Sequence, residues 1–394
     1  MKPVDRHLAD ILAVVRPLAP LEVEIDAALG AVLAEDVASP VPLPPFDNSA
    51  MDGYAVRAED VAGAPVTLPV IGDVAAGDGG LNAVGPGLVA RVMTGAPMPA
   101  GADAVVPVEW TDGGTARVRI DRPAPPGNAI RRAGEDVLAG ETVLREGARI
   151  GAAQVGILAG AGRRRVRVRP RPRVVVLSTG AELAEPGTPL GAGQIWESNS
   201  FMLTAAVREA GAEAFRAGSV SDDPKEFLDV LDAQLLRADA VITSGGVSMG
   251  AYEPVKEALS PLGTVAFEKV AMQPGMPQGF GVVGPDRVPI FTLPGNPVSS
   301  FVSFVLFVRP ALRAMQGLPV GPPEAVRATV TAPLRSPAGK RSYLRAVLTG
   351  RTVAPVTGQG SHQLAALAAA NALIVVPEDV TSLPEGAEVE VIPL

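Results

Sequence analysis

The sequence predicts a multidomain α/β protein, and two stretches carry that prediction. Val174-Val175-Val176-Leu177 runs into Ser178-Thr179-Gly180, and Ala238-Asp239-Ala240-Val241-Ile242 runs into Thr243-Ser244-Gly245-Gly246-Val247-Ser248. Short β-branched runs without alternation read as strands buried on both faces, and so as a parallel sheet. Between them, Asn199 to Ala210 and Pro224 to Arg237 have helix length, and Phe215 to Val220 reads as a strand. Both runs also end in Gly-Ser/Thr loops. A doubly wound sheet binds ligands beyond the carboxyl ends of its strands, and glycine lets backbone N–H groups approach an anion. For either loop taken alone, a tight turn explains the glycines at least as well.

A chain of 394 residues has room for roughly two to four domains. Hydrophobic content of 47% and charged content of 19% fit a soluble globular protein. No apolar segment approaches membrane-spanning length without interruption, and early acidic residues without a signal-peptide cleavage pattern make the cytoplasm the expected location. The absence of cysteine excludes disulfides, thiolate catalysis and Cys-ligated zinc. Of the two histidines, His7 reads as a surface residue of an N-terminal helix, so a His-based triad or a His-rich metal site is not expected. Chemistry is left to carboxylates, hydroxyls, amides, Arg, Lys and a hard cation such as Mg²⁺. A net charge of −8 argues against nucleic-acid binding. The local exception, Arg163, Arg165, Arg167, Arg169, Arg171 and Arg173, places its arginines on one strand face with no aromatic side chains to stack on bases. It reads as a solvated strand leading into the next domain.

In chain order, Val4 to Val15 is an amphipathic helix, and Leu21 to Val37 a strand followed by a short helix. Ser39 to Pro45 is an extended connector. In Phe46-Asp47-Asn48-Ser49-Ala50-Met51-Asp52-Gly53, Asx turns explain the polar residues without a ligand. Residues 55–145 are β-rich, with strands at Pro65 to Val74, Gly87 to Met93, Ala104 to Trp110 and Ala116 to Ile120. Arg131, Arg132, Glu135 and Asp136 form either a structural ion cluster or an anion-plus-metal site. Ile150 to Leu158 returns to helix. After Gly250 come a helix at Glu253 to Leu259, a strand at Val265 to Val270, and a loop at Met272 to Pro277. A strand at Ile290 to Leu293 follows, and then a helix at Ser300 to Met315 whose entry carries Pro297. The end is a small β domain with strands at Ala325 to Ala332, Arg341 to Thr349, Leu373 to Val376 and Glu388 to Ile392. The domain reading is residues 1–45 plus 142–172 as a discontinuous N-terminal linker domain and 46–141 as an inserted β-rich domain. Residues 173–317 form a doubly wound α/β domain, and 323–394 a C-terminal β-barrel-like domain.

Six motifs occur in order: Phe46 to Ala55, Met93-Thr94-Gly95-Ala96-Pro97, Arg132-Ala133-Gly134-Glu135-Asp136, Ser178-Thr179-Gly180-Ala181-Glu182-Leu183, Ser244-Gly245-Gly246-Val247-Ser248 and Leu293-Pro294-Gly295-Asn296-Pro297. Each is weak singly; together they closely resemble the molybdopterin molybdenumtransferase family, bacterial relatives of the gephyrin E domain, over nearly the whole chain. The resemblance implies a Mg²⁺-dependent transferase that inserts molybdate into adenylylated molybdopterin and releases AMP. It also implies an elongated homodimer whose cleft lies between the α/β domain of one subunit and the inserted β domain of the other. It assigns metal insertion to Asp52, Thr94, Asp136 and Glu182, with Asp136 and Glu182 holding Mg²⁺ and Thr94 offered to the molybdate oxyanion. It assigns substrate binding to Ser178, Thr179, Gly180, Ser244, Gly245, Gly246, Ser248, Glu253, Pro294, Gly295, Asn296 and Pro297. Asp222 and Asp223 match a family Asp-Asp-Pro, and read either as ligand contacts or as a helix cap before Pro224.

The chain departs from the family where Gln273-Pro274-Gly275-Met276-Pro277 replaces a frequent Lys-Pro-Gly-Lys-Pro. Arg131, Arg132, Lys256 or Lys269 are the cations available to compensate. Ala181 and Ala251 also stand where aspartate is frequent. The alternatives are a molybdopterin adenylyltransferase, disfavoured by the flanking β domains, and a non-catalytic molybdopterin-binding or scaffold protein. A molybdopterin adenylyltransferase and cofactor-accepting apoenzymes are the implied partners, and molybdate is not distinguishable from tungstate by sequence.

Overall fold

The computed structural model of the chain describes residues 1–77, 83–220, 223–246 and 253–394. They form two compact units: Met1–Leu21, Gly30–Val32 and Val168–Leu394 in the larger, and Glu22–Leu29 and Leu33–Arg167 in the smaller. The α/β architecture with additional curled sheets is the one the sequence predicts.

The larger unit is centred on a six-stranded sheet. Its spatial order is Glu213–Val220, Arg173–Thr179, Ala240–Ser244, Val288–Leu293, Pro277–Val283, Val265–Lys269. The first four strands run parallel, and Pro277–Val283 is antiparallel to both its neighbours, Val288–Leu293 and Val265–Lys269. Alternate residues of the central strand explain the continuous apolar run. Val174 and Val176 face a core with Leu8, Ile11, Leu203 and the helices between Pro297 and Met315. Val175 and Leu177 face a second core with Phe227, Leu231, Val255 and Leu259. The chain's second and third strands lie on opposite sides of the first, so a crevice opens beyond the carboxyl ends of Arg173–Thr179 and Ala240–Ser244.

Strand Pro277–Val283 is absent from the sequence reading, which has only a loop nearby. Gly279 and Gly281 dilute its β signal, but a Cβ at Gly281 would stand 2.1 Å from the Thr264 carbonyl oxygen, so close strand approach requires glycine there. Helix Pro297–Met315 is long and apolar enough to cross a membrane by length and composition, with Arg309 and Arg313 interrupting its apolar run. It is instead a core helix, with 83% of its apolar window buried. A π-helical turn, Phe304–Val308, precedes Pro310, whose ring nitrogen cannot supply an i−4 hydrogen bond. His7 also differs from expectation. It is 3% exposed on the apolar face of helix Val4–Val14, and its ring meets Phe307 edge-on at 4.8 Å.

In the same unit, strands Arg341–Thr349, Thr352–Pro355, Val326–Val330, Glu388–Pro393 and Ala372–Val376 pair in turn, and the first closes on the last. Ala328, Ala346, Val353, Ile374 and Val391 fill this barrel.

In the smaller unit a five-stranded sheet runs Ala104–Pro107, Gly53–Val56, Val89–Val92, Val66–Val74, Arg117–Ile120. Tyr54, Val56, Val89, Val106 and Ile120 pack its core. The short helix expected before Val37 is not formed; turns follow strand Leu21–Glu24 instead. The arginine-rich segment is strand Arg165–Arg169, with Arg165 and Arg167 exposed and Val166 and Val168 buried. Its flanking charges are met by acids: Arg164 and Arg165 by Glu24, Arg171 by Glu213 and Arg173 by Asp239.

Candidate active-site cleft

A cleft of about 810 Å³ occupies the crevice at the sheet's carboxyl end. It is lined by Ser178, Thr179, Gly180, Glu182, Ser244, Gly245, Gly246, Glu253 and Pro294 through Pro297. The structure therefore gathers most of the substrate-binding residues named from sequence into one place. Asp222 and Ser248 lie outside the described residues. Asp223 does not line the cleft; its carboxylate accepts from the amides of Lys225 at 2.8 Å and Glu226 at 3.1 Å and caps helix Pro224–Leu235.

The loops are held by groups the sequence reading missed. Glu197, 2% exposed, accepts from Ser178 Oγ at 2.9 Å and from the Ser200 amide at 2.7 Å, and also binds the Ser200 hydroxyl. Asn199 Nδ2 donates to Ser244 Oγ at 2.8 Å and to the Gly295 carbonyl at 2.6 Å, tying two loops together. Ser300 Oγ donates to the Pro294 carbonyl at 2.9 Å. In sequence, Glu197-Ser198-Asn199-Ser200 reads as polar capping at a helix start; only the sheet topology turns it toward the crevice. Among the described residues Thr179 Oγ1 and Asn199 Oδ1 are buried without a hydrogen-bond partner, an arrangement that suits a bound ligand. The Val298 amide, at the start of helix Pro297–Met315, is bonded to the Ser361 carbonyl.

Glycine is required at the second loop. Gly245 has φ +99°, and a Cβ there would lie 2.5 Å from the Thr179 carbonyl oxygen. Gly246 has φ +66°, with Val255 Cγ2 2.7 Å from the same position.

The smaller unit carries the other named residues. Asp52 accepts from the Thr94 amide at 2.7 Å and the Thr94 hydroxyl at 2.9 Å. These two bonds, the amide's first, hold its carboxyl below the usual range. Both Thr94 donors are thus committed to Asp52, and only hydroxyl lone pairs remain to face a ligand. Asp47 accepts from the Ala133 amide at 2.8 Å and from Arg132 at 2.6 Å, which lower its pKa in that order. Glu135 turns back onto the Arg132 amide at 3.0 Å. This part of the Arg-acid cluster is structural. Asp136 is exposed, and its amide donates to the Leu43 carbonyl at 3.0 Å.

The charge of the cleft is one-sided. Glu182, Glu197 and Glu253 line it with His362, and no Lys or Arg does so among the described residues. Gln273 and Met276 do not line it, nor do Lys256 and Lys269, and Arg132 is paired with Asp47. Among the described residues no group of three or more His, Asp or Glu side chains converges to cage a metal. Mg²⁺ needs no such cage, since it takes one or two carboxylates and completes its shell with water and substrate phosphate. Glu182 and Glu253 are the exposed or half-buried carboxylates on the cleft that fit this donor set.

A doubly wound domain with a polar, glycine-walled cleft at its switch point, joined to a barrel and an inserted sheet, defines a multidomain α/β ligand-binding protein. Comparison with known proteins sharpens this. Residues 2–162 match the MoeA N-terminal region (domain I and II), 175–314 a probable molybdopterin binding domain, and 327–394 the MoeA C-terminal region (domain IV). The chain is 49% identical to molybdopterin molybdenumtransferase 2 of Mycobacterium tuberculosis and 43% identical to molybdopterin molybdenumtransferase 1, covering 99% of this chain in both cases and 99% and 98% of those proteins. A crystal structure of a molybdopterin biosynthesis MoeA protein from Pyrococcus horikoshii is similar at a TM-score of 0.79 and 31% identity, over 100% of both chains. The chain belongs to the MoeA, or molybdopterin molybdenumtransferase, family.

Proposed function

We propose that the protein is a molybdopterin molybdenumtransferase that inserts molybdate into adenylylated molybdopterin and releases AMP. The observation that carries this reading is the cleft itself. Two glycine loops approach closely at the switch point, and Thr179 Oγ1 and Asn199 Oδ1 are buried there with no hydrogen-bond partner among the described residues. Molybdopterin brings its own dithiolene sulfurs, so a chain without cysteine suits this chemistry. The Gly245-Gly246 turn would receive a phosphate, and Asn199 would keep that turn in register with the Pro294 to Pro297 loop.

A cleft with three carboxylates and no Lys or Arg among its described residues would repel a pyrophosphate unless a cation accompanies it. Mg²⁺, when bound, would neutralise charge on the phosphoanhydride. In this unit Glu182, with Glu253, would hold it. Asp136 and the Asp52–Thr94 pair belong to the smaller unit, and a homodimer would let one subunit's Glu182 work with the partner subunit's Asp52. The proposal includes a cytoplasmic location, and a molybdopterin adenylyltransferase and cofactor-accepting apoenzymes as partners.

The test is AMP release from purified protein given adenylylated molybdopterin, Mg²⁺ and molybdate. Release that depends on molybdate and is abolished by a chelator is the expected result. Tight binding without release would instead make the protein a storage or scaffold protein.

A further inference from the structure

The lining of the cleft includes apolar side chains, Leu183, Ile195, Trp196 and Leu364. Ile195 and Trp196 are 56% and 53% exposed. Leaving an indole half bare forfeits burial, and a large rigid aromatic on a concave site offers a flat face at low entropic cost. The indole is held rather than free. Strand Ile195–Trp196 pairs in parallel with Leu183–Ala184, and Trp196 Nε1 donates to the Thr188 carbonyl at 2.9 Å. The segment between is fastened by Arg216, which binds Glu185 at 2.7 and 3.0 Å and lies 4.1 Å over the Phe201 ring. The next residue, Glu197, is anchored in the cleft floor by Ser178 and Ser200. A ligand whose polar end rests on that floor would meet the indole beside it.

We propose that Trp196 stacks on a flat heteroaromatic ring of the bound ligand, the chemistry that a pterin and a purine share, and so selects ring-bearing ligands over bare phosphates. This rests on the reading that the cleft binds adenylylated molybdopterin. Stacking needs only a π-face, so either ring of that ligand satisfies it.

The chain has two tryptophans, so Trp110→Phe leaves Trp196 as the single tryptophan, excited apart from the tyrosines at the red edge of the absorption band. AMP, 6-hydroxymethylpterin, inorganic pyrophosphate and adenylylated molybdopterin would each be titrated, following fluorescence and calorimetry in parallel. Adenylylated molybdopterin should quench Trp196 and pyrophosphate should not. Quenching by AMP alone assigns the purine, and quenching by the pterin alone assigns the pterin. Trp196→Leu should bind adenylylated molybdopterin roughly tenfold or more weakly, while Trp196→Phe, which keeps a ring, retains most of the affinity. Matched unfolding midpoints would show that both variants fold. Calorimetric binding with unmoved emission and a Leu variant of full affinity would overturn the stacking but leave the transferase reading standing. No calorimetric binding of adenylylated molybdopterin to the unaltered protein would overturn both.

Discussion

Asp52 stays ionised well below neutral pH because the Thr94 amide and then its hydroxyl stabilise the carboxylate. Its side chain is exposed, so Asp52→Ala should keep the unfolding midpoint within about a degree, in line with surface substitutions, yet lower AMP release at least tenfold. Wild-type release in that variant would remove Asp52 from the reaction. Because its pKa is depressed, the wild-type rate should show no loss from this residue between pH 8 and about 5. His7 gives a stability prediction of definite sign. Burial, with Lys2 adding to it, pushes the imidazole from 6.5 down to about 4, and Glu268 at 3.3 Å opposes this without prevailing. Between those values the unfolded chain binds the proton and the folded one does not. The contribution of neutral His7 is therefore whole above pH 6.5 and drains away as pH falls toward 4, by as much as about 3 kcal/mol. Urea midpoints at pH 7 and 5 should diverge in the wild type and converge in His7→Gln. The sequence misplaced His7 because a lone polar residue on an amphipathic helix gives no sign of the Phe307 ring more than 290 positions away.

At the scale of the element, the Gly245-Gly246 turn is set by space as much as by backbone conformation. Gly245→Ala would place a methyl 2.5 Å from the Thr179 carbonyl oxygen in a left-handed backbone, costing at least about 1–2 kcal/mol. The urea midpoint should fall and ligand affinity with it; an unaffected variant would mean the loop relaxes away from the first strand. Asp223→Ala should cost about 1 kcal/mol by uncapping its helix and should leave ligand affinity unchanged. A loss of affinity at unchanged stability would return Asp223 to the ligand. Strands buried on both faces were legible because their composition alone announces them, as Val174 to Leu177 shows. Pro277–Val283 was not, since glycines demanded by packing dilute its pattern. The candidate site was legible where chemistry sits in glycine and carboxylate motifs. Glu197 and Asn199 escaped because helix capping and cleft lining use the same residue types, and only topology separates them.

At the scale of the whole molecule, the residues assigned to the reaction are divided between the two units. Asp52, Thr94 and Asp136 lie in the smaller unit and Glu182 in the larger. If catalysis draws these sets from different subunits of a homodimer, inactive variants should complement each other. Asp52→Ala and Glu182→Ala homodimers each lack one member in both sites. A mixed dimer has one site missing both and one missing neither. Refolding or co-expressing the two variants at equal amounts makes half the dimers mixed, so about a quarter of wild-type AMP release should return. Light scattering on the same sample would report the dimer. If both carboxylates act within one chain, every site in the mixture carries one lesion and no activity returns, whatever the oligomeric state. A dimer with no recovery would thus place the reaction within single subunits, and a strict monomer would exclude a shared site outright.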